Sequence, residues 1–317
     1  MTNNSFLNQY NQILKIIEPN IENYNSAILK FFQQDFISQN PAVPIIKDFF
    51  FSKSKKLRPA LIFLFANALY ENENDYNFFV NLAVINEFLH NASLIHDDII
   101  DCSIYRRGHH TINFEYDSKL AVLTGDYLLS CVFDFLASIE NKEIRKIHSQ
   151  AVSNIINGEL IQYFSRFKLL TIEKYIEKSK NKTARLFEAG ILSTYIYKNT
   201  TKQHLKEIQD FALNFGIGFQ IINDLNNFSD SQKLEEDLNN GDYSAPVIYY
   251  VEKNYNGDIS KIKNTKQLAK SIINSNAMNK TKQLAQNYFN KAIENISFIE
   301  DNQYKIALIK LCKLFAN

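Results

Sequence analysis

The sequence predicts an all-α fold in a single domain over residues 1–317. Glycine and proline are scarce, with 8 and 5 copies, so the chain has few turns and long elements. Apolar residues make up 45% of the chain and include 25 Phe and 17 Tyr, which is ample material for a core. Apolar positions recur at helical spacing through most of the chain, and no repeat or linker divides it.

The composition also limits the function. A net charge of +1 gives no argument for binding nucleic acid or an anionic membrane. Cys102, Cys131 and Cys312 show no metal-ligand spacing, which favours a reducing compartment. The N-terminus lacks the regions of a signal peptide, and the uncharged apolar run at residues 59–70 is too short to span a membrane. We therefore expect a cytoplasmic protein with no integral membrane segment and no nucleic-acid partner.

The first elements are helices that lead to a basic segment. Helical spacing over residues 5–36 predicts two short helices that meet near Pro19, and Pro59 suits the first turn of a later helix. Lys55 and Arg58 then lie at a helix N-terminus, where free amides and the helix dipole favour an anion. The segment is either a phosphate site or a solvated basic loop.

The stretch that begins at His90 carries the strongest chemical signal. It ends a buried helix, on which Asp97 and Asp101 are four residues apart and share a face with His90. Two carboxylates one turn apart repel each other unless a cation lies between them, and magnesium is commonly bound by such a pair together with substrate phosphates. Arg106 and Arg107 follow as multidentate phosphate donors. The stretch predicts a site for magnesium and diphosphate.

Two core helices are predicted next, over residues 120–138 and 144–167. Gly125 is predicted to allow a close approach between elements. Glu159 and Gln162 interrupt the apolar pattern of the second helix, and we interpret both as ordinary polar positions rather than as supporting groups of a site.

The C-terminal half carries two weaker signals. A helix is predicted from Asn181, with Lys182 and Thr183 at its start, where a charge and a hydroxyl can hold a phosphate. A second apolar helix, over residues 211–228, ends in amides and one carboxylate. A polar loop is predicted after it, up to Pro246, and residues 259–317 are helical without a chemical motif.

Taken together, these residues resemble the trans-type prenyl diphosphate synthases, the family that condenses isopentenyl diphosphate with an allylic diphosphate. The resemblance extends from about Lys55 to Pro246 by motif. The matching segments, in family order, are KKLRP at 55–59, His90, DDIID at 97–101, RRG at 106–108, GD at 125–126, KT at 182–183 and FQ at 219–220. It implies a large α-helical bundle around a central cavity, of the isoprenoid synthase type, which is usually a homodimer.

The resemblance also implies a role for each matching residue. The residues for isopentenyl diphosphate are Lys55, Arg58, His90 and Arg107. The residues for the allylic diphosphate are Arg106, Lys182 and Lys233. The magnesium ligands are Asp97, Asp101 and Asp224. The residues that stabilise the forming carbocation and its leaving group are Thr183 and Gln220.

One departure from the family pattern leaves three functions open. The second acidic motif, FQxxDDxxD, reads FQIINDLNN here, so Asn223 and Asn227 replace carboxylates, and Asp242 stands where a lysine is common. An amide oxygen can bind magnesium but lacks the charge of a carboxylate. The alternatives are an active synthase, a non-catalytic or regulatory subunit of a heteromeric synthase, and a class I terpene cyclase.

Product length is predicted from the turn before the first acidic motif. A bulky residue there stops chain growth in this family, and Ala92 and Ser93 are both small. Growth beyond the farnesyl length is therefore expected, to a medium- or long-chain all-trans product for a quinone side chain. Candidate residues for a deeper stop are Phe88, Val132 and Phe133.

Overall fold

The computed structural model describes residues 3–52, 54–70, 76–198, 202–229, 231–262 and 264–317, and they form helices joined by short connections. The helices are α1 (Asn3–Ile16), α2 (Glu18–Gln33), α3 (Asp35–Ser38), α4 (Val43–Phe51), α5 (Leu57–Leu69), α6 (Tyr76–Ile100), α7 (Ile112–Glu115), α8 (Ser118–Ala137), α9 (Lys142–Ser165), α10 (Ile172–Ser179), α11 (Arg185–Ile196), α12 (Leu205–Asn227), α13 (Ser231–Asn239), α14 (Ala245–Tyr255), α15 (Thr265–Ile273), α16 (Asn276–Asn295) and α17 (Gln303–Ala316). A π-helical turn (Lys180–Ala184) joins α10 to α11, and a 3₁₀ turn covers Ile259–Lys261. The all-α prediction is confirmed.

The helix boundaries follow the predicted signals in the N-terminal third. α1 and α2 meet next to Pro19, which lies in the first turn of α2. α5 begins at Leu57 with Pro59 in its first turn, after Lys56 in the left-handed conformation (φ 50°). Arg58 is therefore inside the first turn of the helix rather than before it.

α6 is the central helix of the bundle. It packs against α2, α5, α8 and α11, while α12 packs against α11 and α16. Most side chains of α6 from Phe79 to Ile95 are buried, which places the end of the helix, with Asp97 and Asp98, at the edge of the core. A smaller apolar cluster lies apart, among α12, α13, α14 and α15, and includes Leu234 and Leu238. The prediction of one domain stays a prediction.

Two glycines allow helices to approach closely beside the end of α6. A Cβ on Gly125 of α8 would lie 2.3 Å from the His96 ring, so the predicted close approach at Gly125 is confirmed. A Cβ on Gly158 of α9 would lie 2.7 Å from the backbone nitrogen of Lys182. These contacts hold α8 and the π-helical turn against α6 and α9.

Three elements differ from the prediction. The polar segment after α12 is not only loop, because Leu234 and Leu238, four residues apart, bury one face of α13. A two-stranded hairpin, β1 (Tyr105–Arg106) and β2 (His109–His110), follows α6, and its turn holds Arg107 and Gly108 at φ 54° and 86°. Lys182 and Thr183 lie in the π-helical turn inside a continuous helical segment rather than at a helix start, so no free amides support them.

Among the described residues, α6 and α8 have the length and composition expected of a membrane span. The apolar window of α6 is 72% buried and that of α8 is 39% buried. Both helices contain charged residues, so a search for uncharged runs does not find them. That no segment spans a membrane stays a prediction.

Candidate active site

Most of the predicted site residues line one cavity of about 760 Å³ at the end of α6. α6, α9, the π-helical turn and α12 form its walls. The predicted residues on its wall are Arg58, His90, Asp97, Asp101, Arg106, Arg107, Lys182, Thr183, Gln220 and Asp224. Lys55 lies elsewhere, with its ammonium 4.9 Å from the Phe6 ring centroid. The Lys233 side chain is outside the described residues.

The first acidic motif is paired with cations. Asp97 Oδ2 lies 3.9 Å from Lys182 Nζ, and Asp101 Oδ1 lies 3.2 Å from an Arg166 nitrogen. The backbone N–H of Asp101 donates to the carbonyl of Asp97 (2.8 Å), so the helical geometry continues past Ile100. Burial raises the pKa of Asp97 and the neighbouring Asp101 charge adds to this, while Lys182 opposes it. The pair therefore favours the approach of further positive charge.

Lys182 is held by groups that the sequence interpretation treated as ordinary polar positions. Its Nζ lies 2.5 Å from Glu159 Oε1 and donates to Gln162 Oε1 (3.4 Å). Burial works against the ammonium charge, but Asp97 and Glu159 outweigh it and raise the pKa of Lys182. Burial likewise raises the pKa of Glu159 to about 7. Glu159 and Gln162 belong to the site, and only their place on an apolar helix near Gly158 could have indicated it.

A hydrogen-bond chain occupies the opposite wall. Thr183 Oγ1 donates to Gln220 Oε1 (2.6 Å), and Gln220 Nε2 donates to Asp224 Oδ1 (2.8 Å). Tyr175, which is fully buried, donates its hydroxyl to Asp224 Oδ2 (2.5 Å). Asn227 Nδ2 donates to Asp237 Oδ2 (2.9 Å). No sequence pattern indicates Tyr175, because it lies in an ordinary amphipathic helix.

A cluster of cations forms the third part of the cavity. The Arg58 guanidinium lies 4.6 Å from the Phe187 ring centroid, and its Nε has no hydrogen-bond partner among the described residues. Arg107 Nη1 donates to Ser52 Oγ and Asn91 Oδ1, both at 3.4 Å. Burial and the neighbouring Arg58 and Arg107 charges lower the pKa of His90 well below its usual value. Cations held together in this way favour an incoming anion.

Arg106 is held at the edge of the same cavity by Asp98. Its Nε donates to Asp98 Oδ1 (2.9 Å), and Nη2 also bonds that oxygen. Asp98 is 2% exposed, so the pair fixes the start of the hairpin against α6. Asp98 therefore serves the site by orienting Arg106.

An apolar cavity of about 380 Å³ opens beneath Asp97. It shares Ser93, Asp97, Ile155 and Glu159 with the polar cavity, so the two are adjacent. Its wall also contains Leu89, Leu129 and Val152, with Ile156 at the protein surface. None of the three residues suggested as a deeper stop lines it: Phe88 packs against Phe50 and Phe31, Val132 is fully buried, and Phe133 is 61% exposed. Helical spacing alone does not show which buried face borders a cavity, and the role of these residues in product length stays a prediction.

The donor set at Asp97 and Asp101 fits a divalent ion that is held partly by substrate. Among the described residues, no three His, Cys, Asp or Glu side chains are grouped to hold a metal by themselves. Magnesium is commonly bound through one or two carboxylates, water and substrate phosphates. Asp224 faces the same cavity, and each of its oxygens already accepts a hydrogen bond.

Comparisons with known proteins show similarity along most of the chain. A model of the polyprenyl synthetase family matches residues 42–288. A prenyl transferase of Cyanophora paradoxa is 30% identical over 95% of this chain and 97% of its own length. The decaprenyl-diphosphate synthase of Dictyostelium discoideum is 29% identical over 95% of this chain and 70% of its own length.

The fold has close structural counterparts. A polyprenyl synthase from Caulobacter crescentus CB15, solved with calcium and isoprenyl diphosphate, superposes with a TM-score of 0.86 over 97% of both chains at 22% identity. The likeness confirms the isoprenoid synthase fold that the resemblance implied. The family match covers most of the chain, and the chain belongs to the polyprenyl synthetase family.

Proposed function

We propose that this protein condenses isopentenyl diphosphate with an allylic prenyl diphosphate by 1′-4 coupling, and that the product is a medium- or long-chain all-trans polyprenyl diphosphate. The observation that carries the proposal is the arrangement of one cavity. Arg58 and Arg107, which have no ion-pair partner among the described residues, lie with the His90 ring at one end. Asp97 and Asp101 lie at the other, and an apolar cavity adjoins the polar one at Asp97. Two anionic groups and one growing hydrocarbon chain fit that division.

The residues of the chain have distinct tasks in this reaction. Arg106 and Lys182 neutralise the allylic diphosphate as its carbon–oxygen bond breaks and the electron pair leaves with the phosphate. Arg58, His90 and Arg107 hold the isopentenyl diphosphate so that its double bond faces the allylic carbon. Thr183 and Gln220 present their oxygens toward the cation. Loss of a proton to the released diphosphate then restores an alkene.

We assign magnesium to Asp97 and Asp101, with Asp224 as the ligand on the opposite wall. The ion would supply positive charge to the allylic diphosphate. The chain's own part is to hold the two carboxylates one helical turn apart, beside Lys182 and Arg166. The apolar wall below Asp97 excludes water that would capture a carbocation.

The apolar cavity supports a long product. Ser93 and Asp97 of α6 line both cavities, and the small Ser93 side chain adds little bulk at their boundary. The deeper wall at Leu89, Leu129 and Val152 is aliphatic and has no charged group. We therefore retain a quinone side-chain precursor as the proposed product class.

We also propose a homodimer in the cytoplasm. The outer face of α8 exposes Val122, Leu123 and Phe133, and α9 beside it exposes Ile156 and Phe164. An exposed apolar surface of this kind marks an interaction site, and a second copy presents the same surface. Light scattering of the purified chain that gave a monomer mass would contradict this assembly.

The test of function is incubation of the purified chain with magnesium, labelled isopentenyl diphosphate and a series of allylic diphosphates. We expect label in elongated prenyl diphosphates, with chain length measured by mass spectrometry. Cyclic hydrocarbons without label would instead support a terpene cyclase. A folded sample that gives no product with any primer would support a regulatory subunit.

A further inference from the structure

We infer that Lys178, which no motif predicts, binds the allylic diphosphate together with Lys182. The inference rests on the proposed function and assigns one more residue to the same site. Lys178 lies on α10, four residues before Lys182, and both side chains line the polar cavity. Because both side chains line one cavity on the same helical segment, their ammonium groups can contact one anionic group in it.

The cations on the cavity wall differ in whether a carboxylate already pairs with them. Lys182 is paired with Glu159 and Asp97, and Arg106 is paired with Asp98. Lys178, in contrast, forms no ion pair with a described residue, and its Nζ lies 5.9 Å from the Tyr175 ring centroid. Of the described lysines and arginines on the cavity wall, only Arg58, Arg107 and Lys178 lack an ion-pair partner.

Arg58, Arg107 and Lys178 lie at different ends of the cavity. Arg58 and Arg107 flank His90 at the isopentenyl diphosphate end. Lys178 lies at the other end, because the Tyr175 beneath its ammonium donates a hydrogen bond to Asp224 on the second wall. Each end of the cavity therefore has a cation that is not already committed to a protein carboxylate.

Without Lys178, a diphosphate at this end of the cavity would lie near carboxylates. Asp237 and Asp242 line the cavity on this side, and Gln162 Nε2 donates to Asp242 Oδ2 (3.3 Å). Burial raises the pKa of Asp242, and the charges of Lys178, Arg166 and Lys182 oppose this rise. Lys178 therefore adds positive charge on the side of the cavity where the Asp242 carboxylate would repel a phosphate.

The primary test is Lys178→Met, with Lys174→Met as the matched control. Lys174 lies on the same helix but is exposed and does not line the cavity. Loss of one charge-assisted contact should raise the KM for the allylic diphosphate about tenfold and leave the KM for isopentenyl diphosphate within about twofold. Lys178→Arg should retain most of the affinity, and Lys174→Met should match the wild type.

Moving the positive charge from position 178 to position 242 gives a second test. Because Asp242 faces the same cavity, Asp242→Lys in the Lys178→Met background should recover part of the lost allylic affinity. An unchanged allylic KM in Lys178→Met, or an equal rise in both KM values, would overturn the inference, since a purely structural defect affects both substrates. Lys178→Gln serves as the second variant if the methionine variant does not fold.

The role of Lys178 can be tested separately from the proposed function. If the wild-type chain makes no product, the proposed function fails, and binding alone tests Lys178. Calorimetry with a farnesyl diphosphate analogue that carries sulfur at the bridging position should then show about tenfold weaker binding to Lys178→Met than to Lys174→Met. Equal affinities in that measurement would refute the role of Lys178.

Discussion

The two walls of the polar cavity hold their carboxylates in different ways. On the α6 wall, Asp97 and Asp101 are paired with Lys182 and Arg166, so each negative charge faces a positive one. On the α12 wall, both Asp224 oxygens accept hydrogen bonds, one from Tyr175 and one from Gln220. On the α6 wall, a metal can displace a cation that now pairs with Asp97 or Asp101. On the α12 wall, hydrogen bonds already orient Asp224, so a metal there would meet a carboxylate that is fixed in position.

The largest expected effect comes from the α6 wall. Asp97→Asn and Asp101→Asn should each lower kcat/KM by about 10²–10³-fold, because each removes a carboxylate assigned to the magnesium that would neutralise the leaving diphosphate. The matched change on the other wall, Asp224→Asn, should cost about tenfold, because the amide oxygen can still meet the ion and about one hydrogen-bond pair is altered. Steady-state rates at saturating magnesium measure both. Equal losses of kcat/KM in the α6 and α12 variants would show that the two walls do not hold their carboxylates for different purposes.

The second effect is a pH dependence of stability at Glu159. Its pKa is about 7 in the folded protein because burial penalises the charge, against an ordinary value of 4.5. Between those values the folded state holds a proton that the unfolded state releases. The stabilising contribution is therefore complete below pH 4.5 and is lost as the pH rises through 7.

Glu159→Gln removes this dependence. The unfolding free energy of the wild type should fall relative to that of the variant by on the order of 2–3 kcal/mol between pH 4.5 and pH 8. Denaturant titrations of both proteins at several pH values measure the difference. Parallel stability curves would show that Lys182 keeps Glu159 ionised throughout.

The smallest effect is expected when an amide on the α12 wall is replaced by a carboxylate. Asn227→Asp places a second carboxylate against Asp237, whose Oδ2 now accepts from Asn227 Nδ2 at 2.9 Å. We expect a loss of about 1–2 kcal/mol of unfolding free energy from the lost hydrogen bond and the repulsion. The double variant Asn227→Asp/Asp237→Asn restores the pair in reverse and should recover most of it. Additive losses would show that the two residues do not interact.

The sequence alone predicts the site residues that stand in an unusual pattern. Asp97 and Asp101 were found because charges at helical spacing on an apolar helix are costly without a function. Lys182 was also found, but its surroundings were not, since Glu159 and Gln162 are unremarkable polar positions until α9 is packed against the π-helical turn. Leu234 and Leu238 show the same limit in the fold, because two apolar residues in a polar segment form a helix only where a second cluster receives them.

The π-helical turn at Lys180–Ala184 sets the angular relation between α10 and α11. A π-helical turn contains one more residue than an α-helical turn, so the side chains on either side of it are rotated by about 100° relative to an uninterrupted α-helix. Deleting one residue within it would restore regular geometry without removing any side chain outside the turn. Tyr175 and Lys178 would then rotate away from the cavity while α11 stayed in the core. A single extra residue in the turn therefore determines that these α10 side chains face the cavity.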